Sequence, residues 1–169
     1  GIYHLFYQHN PGAHVWGNMH WGHATSRDLI HWEHRPIALH AEPDGLGYIF
    51  SGSAVVDWHK TSGLGSVKNP PLVALFTHSS DNGFQVQSLA YSVDDGSNWH
   101  MYEHNPVLGN PGIEHFRDPK ILWDEQAHCW IMVLAAENVI KFYRSENLLA
   151  WQLLSNFKPP SDDPDLCLE

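Results

Sequence analysis

The residues best suited to chemistry are Arg117 and Asp118, which are adjacent and lie between a loop and a predicted strand. A carboxylate can accept hydrogen bonds from two neighbouring hydroxyl groups, and a guanidinium group supplies a rigid fork of N–H donors. The pair is therefore suited to binding a sugar. The alternative is an exposed ion pair at the start of a strand, which is common and contributes little to stability.

Two other segments carry side chains that are typical of a sugar pocket. Gln8 and Trp16 flank the first turn, and an amide beside an indole offers hydrogen bonds and an apolar face to a sugar ring. Phe50–Ser53, with the sequence Phe-Ser-Gly-Ser, lies inside a predicted strand, where small residues often mark the close approach of another backbone. A core tryptophan and tight strand packing are the respective alternatives.

Fourteen histidines raise the question of a metal centre. In each of the pairs His20 with His23 and His31 with His34, a separation of three residues on a strand points the side chains to opposite faces. The sequence contains no HExxH pattern and no cysteine spacing typical of zinc. We expect neither a metal nor a cofactor, and most histidines should fill polar positions on strands.

Composition and charge narrow the class of ligand. The formal net charge of -10 disfavours nucleic acid and an anionic membrane surface, because both are bound by clustered Lys and Arg. A neutral saccharide fits this charge better. No segment reaches the ~18 apolar residues of a membrane span. No signal peptide is visible, but the chain begins inside a strand-like run, so localisation stays open. Cys129 lies in an apolar run and should be a buried free thiol.

The candidate site residues should lie on or between short strands, because apolar runs alternate with turn signals and no helical period persists. Turns are marked by segments such as Asn10-Pro11-Gly12 and Asp81-Asn82-Gly83. The predicted strands are Ile2–Gln8, Met19–Ser26, Tyr48–Asp57, Leu72–Ser79, Gln85–Val93, Pro119–Trp123, Trp130–Ala136 and Val139–Ser145.

An internal repeat predicts how the strands assemble. A serine, an Asp or Asn two residues later and then a tryptophan recur from Ser26, Ser92 and Ser145. Each tryptophan should begin a short outer strand and pack it onto its own sheet without a chemical role. The spacing suits four-stranded blades of a β-propeller with long insertions. We predict one partial propeller domain over residues 1–169, with about three blade-like repeats at roughly 1–40, 41–108 and 109–169.

The longer motifs resemble glycoside hydrolase family 32, which contains invertases, inulinases, levanases and sucrose-6-phosphate hydrolases. Tyr3–Pro11 and Trp16–Trp32 resemble its first strands. Phe50–Ser53 is similar to its Phe-Ser-Gly-Ser strand, and Phe116–Pro119 is similar to its Arg-Asp-Pro motif. The four motifs follow the family's order, and the resemblance extends from Gly1 to about Leu154.

The resemblance implies an all-β fold, a five-bladed β-propeller with a funnel-shaped site, of which this chain holds about three blades. It implies cleavage of terminal fructosyl units from sucrose or fructans by a retaining mechanism, which uses a nucleophile, an acid/base and a third carboxylate. Asp118 matches the third carboxylate, a transition-state stabiliser. The positions that match substrate contacts are Gln8, Trp16, Phe50, Ser51 and Arg117.

Two departures from the family pattern affect the expected activity. The family's nucleophile lies in a Trp-Met-Asn-Asp-Pro-Asn-Gly segment before the first matching strand, and residues 1–169 contain no such segment. The family's acid/base lies in Glu-Cys-Pro-Asp-Leu, with which Asp162–Leu166 aligns loosely. Asp162 is therefore the candidate acid/base, and a solvated acidic loop is the alternative. We expect very little hydrolysis by this polypeptide alone.

Two other functions are alternatives to the hydrolysis of fructosides. One is a non-catalytic propeller module that binds fructosides without cleaving them. The other is a five-bladed glycosidase acting on arabinosides or xylosides, which the strings Phe50–Ser53 and Trp16–His23 disfavour. In any of these proteins, three blades would leave open faces and unpaired edges, so we also expect self-association through the blade edges.

Overall fold

A computed structural model describes residues 1–66 and 68–160 of the protein. Over these ranges the chain forms strands without helices, and the strands build three antiparallel sheets. The first sheet contains β1 (Tyr3–His9), β2 (His20–Ser26) and β3 (Trp32–Leu39). The second contains β4 (Tyr48–Val56), β5 (Leu72–Ser79), β6 (Gln85–Ser92) and β7 (His100–Met101). The third contains β8 (Phe116–Asp124), β9 (Cys129–Ala136), β10 (Val139–Ser145) and β11 (Gln152–Phe157).

The all-β prediction is confirmed, and the predicted strands coincide with β1, β2, β4, β5, β6, β8, β9 and β10 within a few residues. One boundary is wrong in a way that matters. β8 begins at Phe116 and not at Pro119, so Arg117 and Asp118 lie inside the strand. The strand continues through Pro119 because a bulge shifts its register between Arg117 and Lys120.

The repeated serine-to-tryptophan segment forms the same turn in all three sheets. It connects β2 to β3, β6 to β7 and β10 to β11. The serine hydroxyls donate to Asp28, Asp94 and Asn147 over 3.1, 2.8 and 3.2 Å. The indole N–H groups of Trp32, Trp99 and Trp151 donate to backbone carbonyls of the same turns over 3.2, 3.2 and 3.0 Å. Trp99 also packs edge-to-face on Phe6 of the first sheet, with ring centroids 5.4 Å apart.

The second sheet is buried on both faces, which explains the nearly continuous apolar run of β5. Successive side chains of a strand point to opposite faces. Val73 and Leu75 join a core that includes Phe116 and Met132 of the third sheet. Ala74 and Phe76 join a second core, which includes Trp21 and Leu39 of the first sheet. By the same alternation, Thr77 faces the third sheet and His78 faces the first.

Glycine at position 52 lets the backbones of β4 and β5 approach closely, as the Phe50–Ser53 segment predicted. A Cβ atom added to Gly52 would overlap the carbonyl oxygen of Leu75 and lie 2.6 Å from the Cα of Phe76. The register of β4 shifts between Ile49 and Gly52, so Phe50 and Ser51 form a bulge at this point.

Two further findings concern features away from the cavity. Cys129 is a buried free thiol, as expected from its apolar surroundings. Within the described parts of the chain, no helix could cross a membrane.

Candidate active site

The three sheets meet around one large cavity of about 840 Å³. This volume lies within the range of about 300–1,000 Å³ that is usual for small-molecule sites. Side chains from all three sheets line it, and they include the following predicted site residues: Gln8, Trp16, Phe50, Ser51, Arg117 and Asp118. The fold therefore brings together residues that are up to 110 positions apart in the sequence (118 − 8).

Gln8 and Trp16 reach the cavity from the first sheet. Gln8 lies near the end of β1, opposite Trp21 of β2. Trp16 lies in the following loop and is 75% exposed, so it is not a core tryptophan. Its ring meets that of Phe50 edge-to-face at 5.7 Å. The side-chain amide of Asn10 donates to the carbonyl of Val15 over 3.0 Å, which holds the loop in place.

Phe50 and Ser51 reach the cavity because of the bulge in β4. The indole N–H of Trp21 donates to the carbonyl of Phe50 over 2.9 Å, so a buried residue of the first sheet supports the bulge. Bulges redirect side chains and are frequent beside active sites. The Phe50–Ser53 segment combines tight packing with a position at the cavity, because Gly52 packs closely against β5 while Phe50 and Ser51 border the cavity.

Arg117 and Asp118 form an ion pair at the wall of the cavity. Arg117 Nε lies 3.6 Å from Asp118 Oδ2, and the two side chains are 17% and 27% exposed. The pair is therefore mostly buried and differs from the exposed surface pair that was the alternative. Arg117 Nη1 also donates to His115 Nδ1 over 2.7 Å. These two contacts restrict the guanidinium group to one side of the cavity.

Asp118 has an unusual backbone conformation, with a φ of 62°. This left-handed region is sparsely populated by residues other than glycine, and such residues cluster at functional sites. The backbone N–H of Asp118 donates to Thr77 Oγ1 over 3.1 Å. The strand is therefore held in a strained conformation at the residue whose carboxylate borders the cavity.

Sequence reasoning missed a second polar group of the cavity, formed by Tyr48, Asp81 and Glu114. Asp81 raises the pKa of Tyr48, because the phenol donates a hydrogen bond to the Asp81 carboxylate and the nearby negative charge opposes ionisation. Asp81 belongs to the turn Asp81-Asn82-Gly83, which the sequence marks as a turn but not as a cavity wall. Asp81 borders the cavity because the connection between β5 and β6 lines it.

The charge of the cavity agrees with a neutral ligand. Its described walls include the carboxylates of Asp81, Glu114 and Asp118 beside the cation of Arg117. An anionic ligand would meet like charges here, whereas the hydroxyl groups of a sugar can donate to carboxylates. No group of three or more potential metal ligands occurs among the residues that the structure describes. Asp162, the candidate acid/base, lies outside the described residues.

Solved structures of other proteins share the fold of this chain over most of its length. The exo-inulinase from Aspergillus awamori matches 94% of this chain at 40% identity, with a TM-score of 0.84. The β-fructofuranosidase from Schwanniomyces occidentalis, in complex with fructosyl-erythritol, matches 93% at 41% identity, with a TM-score of 0.86. The three sheets are accordingly blades of a β-propeller like that of these two proteins.

The family follows from the sequence comparison. The model of the glycosyl hydrolases family 32 N-terminal domain matches residues 1–169, and the chain belongs to this family. Among its relatives is a levanase from Bacillus subtilis (strain 168), which is 54% identical over 157 residues and 93% of this chain. The chain spans 23% of that levanase and 35% and 31% of the two solved proteins.

Proposed function

We propose that this chain is part of the catalytic domain of a retaining β-fructofuranosidase, which releases terminal fructosyl units from sucrose or fructans. The observation that supports this most directly is the cavity, where six side chains matched to substrate or catalytic positions come together from three blades. The complex of the Schwanniomyces occidentalis enzyme with fructosyl-erythritol adds support for a fructoside as the ligand.

In this proposal Asp118 stabilises the transition state. Glycoside cleavage passes through an oxocarbenium-like state, in which positive charge develops on the sugar ring. A carboxylate that accepts hydrogen bonds from two adjacent hydroxyl groups holds the ring and favours that charge. Arg117 orients the carboxylate through the contact of 3.6 Å. Trp16 and Phe50 supply aromatic surface beside the ring, and Gln8 and Ser51 supply hydrogen bonds.

The nucleophile in this proposal comes from a strand that pairs with β1. In the second and third sheets, the repeated turn connects the third strand to the fourth. In the first sheet, it connects the second strand, β2, to the third, β3. β1 is therefore equivalent to β5 and β9, which pair with the first strands of their sheets, β4 and β8. A corresponding strand beside β1 would run next to Gln8. Asp162 remains the proposed acid/base.

Kinetics on the full-length protein that contains these residues test the proposal. We expect release of fructose from sucrose, inulin or levan, and a loss of about 10²–10³-fold in kcat for Asp118→Asn. Asp81→Asn is the matched control, because it neutralises another carboxylate of the same cavity and should cost much less. Calorimetric binding of fructosides without any turnover would favour the non-catalytic binding module instead.

A polypeptide of residues 1–169 alone should behave differently. We propose that it hydrolyses fructosides very slowly and that it self-associates. β11 is exposed along its whole length and presents Leu153, Leu154 and Phe157, while β1 exposes Tyr3 and Leu5. Exposed apolar edge strands favour association. In light scattering, a monodisperse monomer would contradict this. We also propose that the blade limits are residues 1–40, 41–108 and 109–169.

A further inference from the structure

Four uncharged polar side chains of the second sheet hold the backbone of β8 across the boundary between two blades. They are Ser53, Thr77, Gln85 and Gln87, and we call this set the interblade clamp. We propose that the clamp positions the Asp118 carboxylate for catalysis. This inference rests on the proposed function, because it assumes that Asp118 acts on the substrate.

The clamp contacts the backbone on both sides of the bulge. Thr77 Oγ1 accepts from the N–H of Asp118 over 3.1 Å and donates to Gln87 Oε1 over 2.7 Å. Gln87 Nε2 then donates to the carbonyl of Phe116 over 2.7 Å. Gln85 Oε1 accepts from the N–H of Phe116 over 2.8 Å. The Thr77 hydroxyl and both amide atoms of Gln87 have defined partners, so these hydrogen bonds fix one direction of donation.

Ser53 completes the clamp beyond the bulge. Its hydroxyl donates to the carbonyl of Pro119 over 3.0 Å and accepts from the N–H of Ile121 over 3.0 Å. Hydrogen bonds from the second sheet therefore reach β8 at Phe116, Asp118, Pro119 and Ile121. Among the strands that the structure describes, β8 is an edge strand that pairs with β9 alone, so these side chains take the place of a neighbouring strand.

Burial makes the clamp rigid. Thr77 and Gln87 are 0% exposed, and Gln85 and Ser53 are 5% and 8% exposed. A buried polar group is costly unless it is hydrogen-bonded, so each contact strongly favours the present position of β8. Gln87 is also fixed through its own backbone, whose N–H donates to Leu108 and whose carbonyl accepts from Val107, both over 2.9 Å.

The conformation of Asp118 explains why a clamp is needed. A non-glycine residue with a φ of 62° stays in that conformation only when its surroundings hold it there. Without the bond to Thr77, the backbone N–H would lose this acceptor, and a relaxed backbone would turn the carboxylate away from its position in the cavity. Misplacement of a catalytic group by about 1 Å can cost about 10²-fold in rate.

Thr77→Val in the full-length protein tests the inference, because it removes the hydroxyl and keeps the shape of the side chain. We expect kcat for fructoside hydrolysis to fall by about 10–100-fold, with a smaller change in KM. Thr77→Ser keeps the hydroxyl and should restore most of the activity. Ser88→Ala is the control: its buried hydroxyl lies on β6 and has no hydrogen-bond partner among the described residues. It should leave kcat unchanged.

A double mutant separates positioning from simple loss of stability. If Thr77 acts through Asp118, Thr77→Val should cost little further activity in an Asp118→Asn background. Equal fractional losses in both backgrounds would overturn the inference, as would wild-type kcat in Thr77→Val. If Thr77→Val does not fold, Gln87→Met tests the same part of the interblade clamp, because it removes the hydrogen bonds of Gln87 and keeps Thr77. Its kcat should fall as predicted for Thr77→Val, and a wild-type kcat would again overturn the inference.

A crystal structure of Thr77→Val distinguishes failure of this inference from failure of the proposed function. We expect Asp118 to leave the left-handed region or its carboxylate to move within the cavity. An unchanged Asp118 would refute the clamp, whatever the kinetics show. If Asp118→Asn keeps full activity, the role proposed for Asp118 is wrong, and if the full-length protein cleaves no fructoside, the proposed function is wrong; in either case a moved Asp118 in Thr77→Val would still support the structural part of the inference.

Discussion

His78 should make the stability of this protein depend on pH. Its side chain is 1% exposed, and both ring nitrogens are buried without a hydrogen-bond partner in the described part of the chain. Burial lowers the pKa of His78 from 6.5 to about 4, because a buried site disfavours the charged imidazolium. The neutral ring packs edge-to-face on Phe76, with centroids 4.9 Å apart.

The sign and size of the effect follow from this shift. Since the pKa of His78 is lower in the folded state, protons bind preferentially to the unfolded state. The contribution of His78 to the free energy of unfolding is therefore fully present above pH 6.5 and is lost as the pH falls towards 4. Between pH 8 and pH 5, His78 becomes protonated in the unfolded state but stays largely neutral in the folded state. This difference lowers the free energy of unfolding by ~2 kcal/mol for this residue alone. His23, whose pKa burial also lowers to about 4, should add to the loss.

Denaturant unfolding at several pH values, on wild type and His78→Leu, measures this contribution. The apolar variant cannot titrate, so the difference in stability between pH 8 and pH 5 should shrink by ~2 kcal/mol. His14→Gln is the control, because His14 is exposed on a loop and should leave the difference as in wild type. An equal dependence on pH in wild type and His78→Leu would show that His78 does not contribute to it.

Two further predictions concern packing and binding. Gly52→Ala should lower the free energy of unfolding by about 1–3 kcal/mol, because its Cβ would collide with Leu75 and Phe76; Gly109→Ala, with no neighbouring atom within 4 Å, should change thermal stability little. Trp16→Ala should weaken fructoside binding in calorimetry while leaving the melting temperature nearly unchanged, because the indole is 75% exposed. A large drop in melting temperature would instead assign Trp16 a structural role.

Local patterns in the sequence predict much of this fold. The strand β5 is recognisable because both of its faces are buried, and its run from Leu72 to Phe76 is apolar. The repeated turns are recognisable because the serine bonds to the Asp or Asn, and the tryptophan bonds to a backbone carbonyl of the same turn. These interactions are local, so the residue types themselves carry the information.

The positions of the bulges are beyond prediction because they depend on contacts between sheets. The sequence predicts Asp118 before a strand, but the structure shows it inside β8, held by Thr77 from the second sheet. The contacts of Thr77 and Gln87 with β8 cannot be predicted from the sequence for a related reason. A polar residue on a strand usually faces solvent, and only the alternation with Val73 and Leu75 signals that Thr77 points into a blade boundary.

A crystal structure of the full-length Asp118→Asn protein with a bound fructoside would show whether the cavity binds the sugar at position 118. The terminal furanose ring should lie in the cavity beside Trp16, with the substituted side chain at position 118 within hydrogen-bond distance of two adjacent hydroxyl groups. A fructoside bound on an outer surface of the sheets, or in the cavity but out of reach of position 118, would show that Asp118 does not act on the substrate.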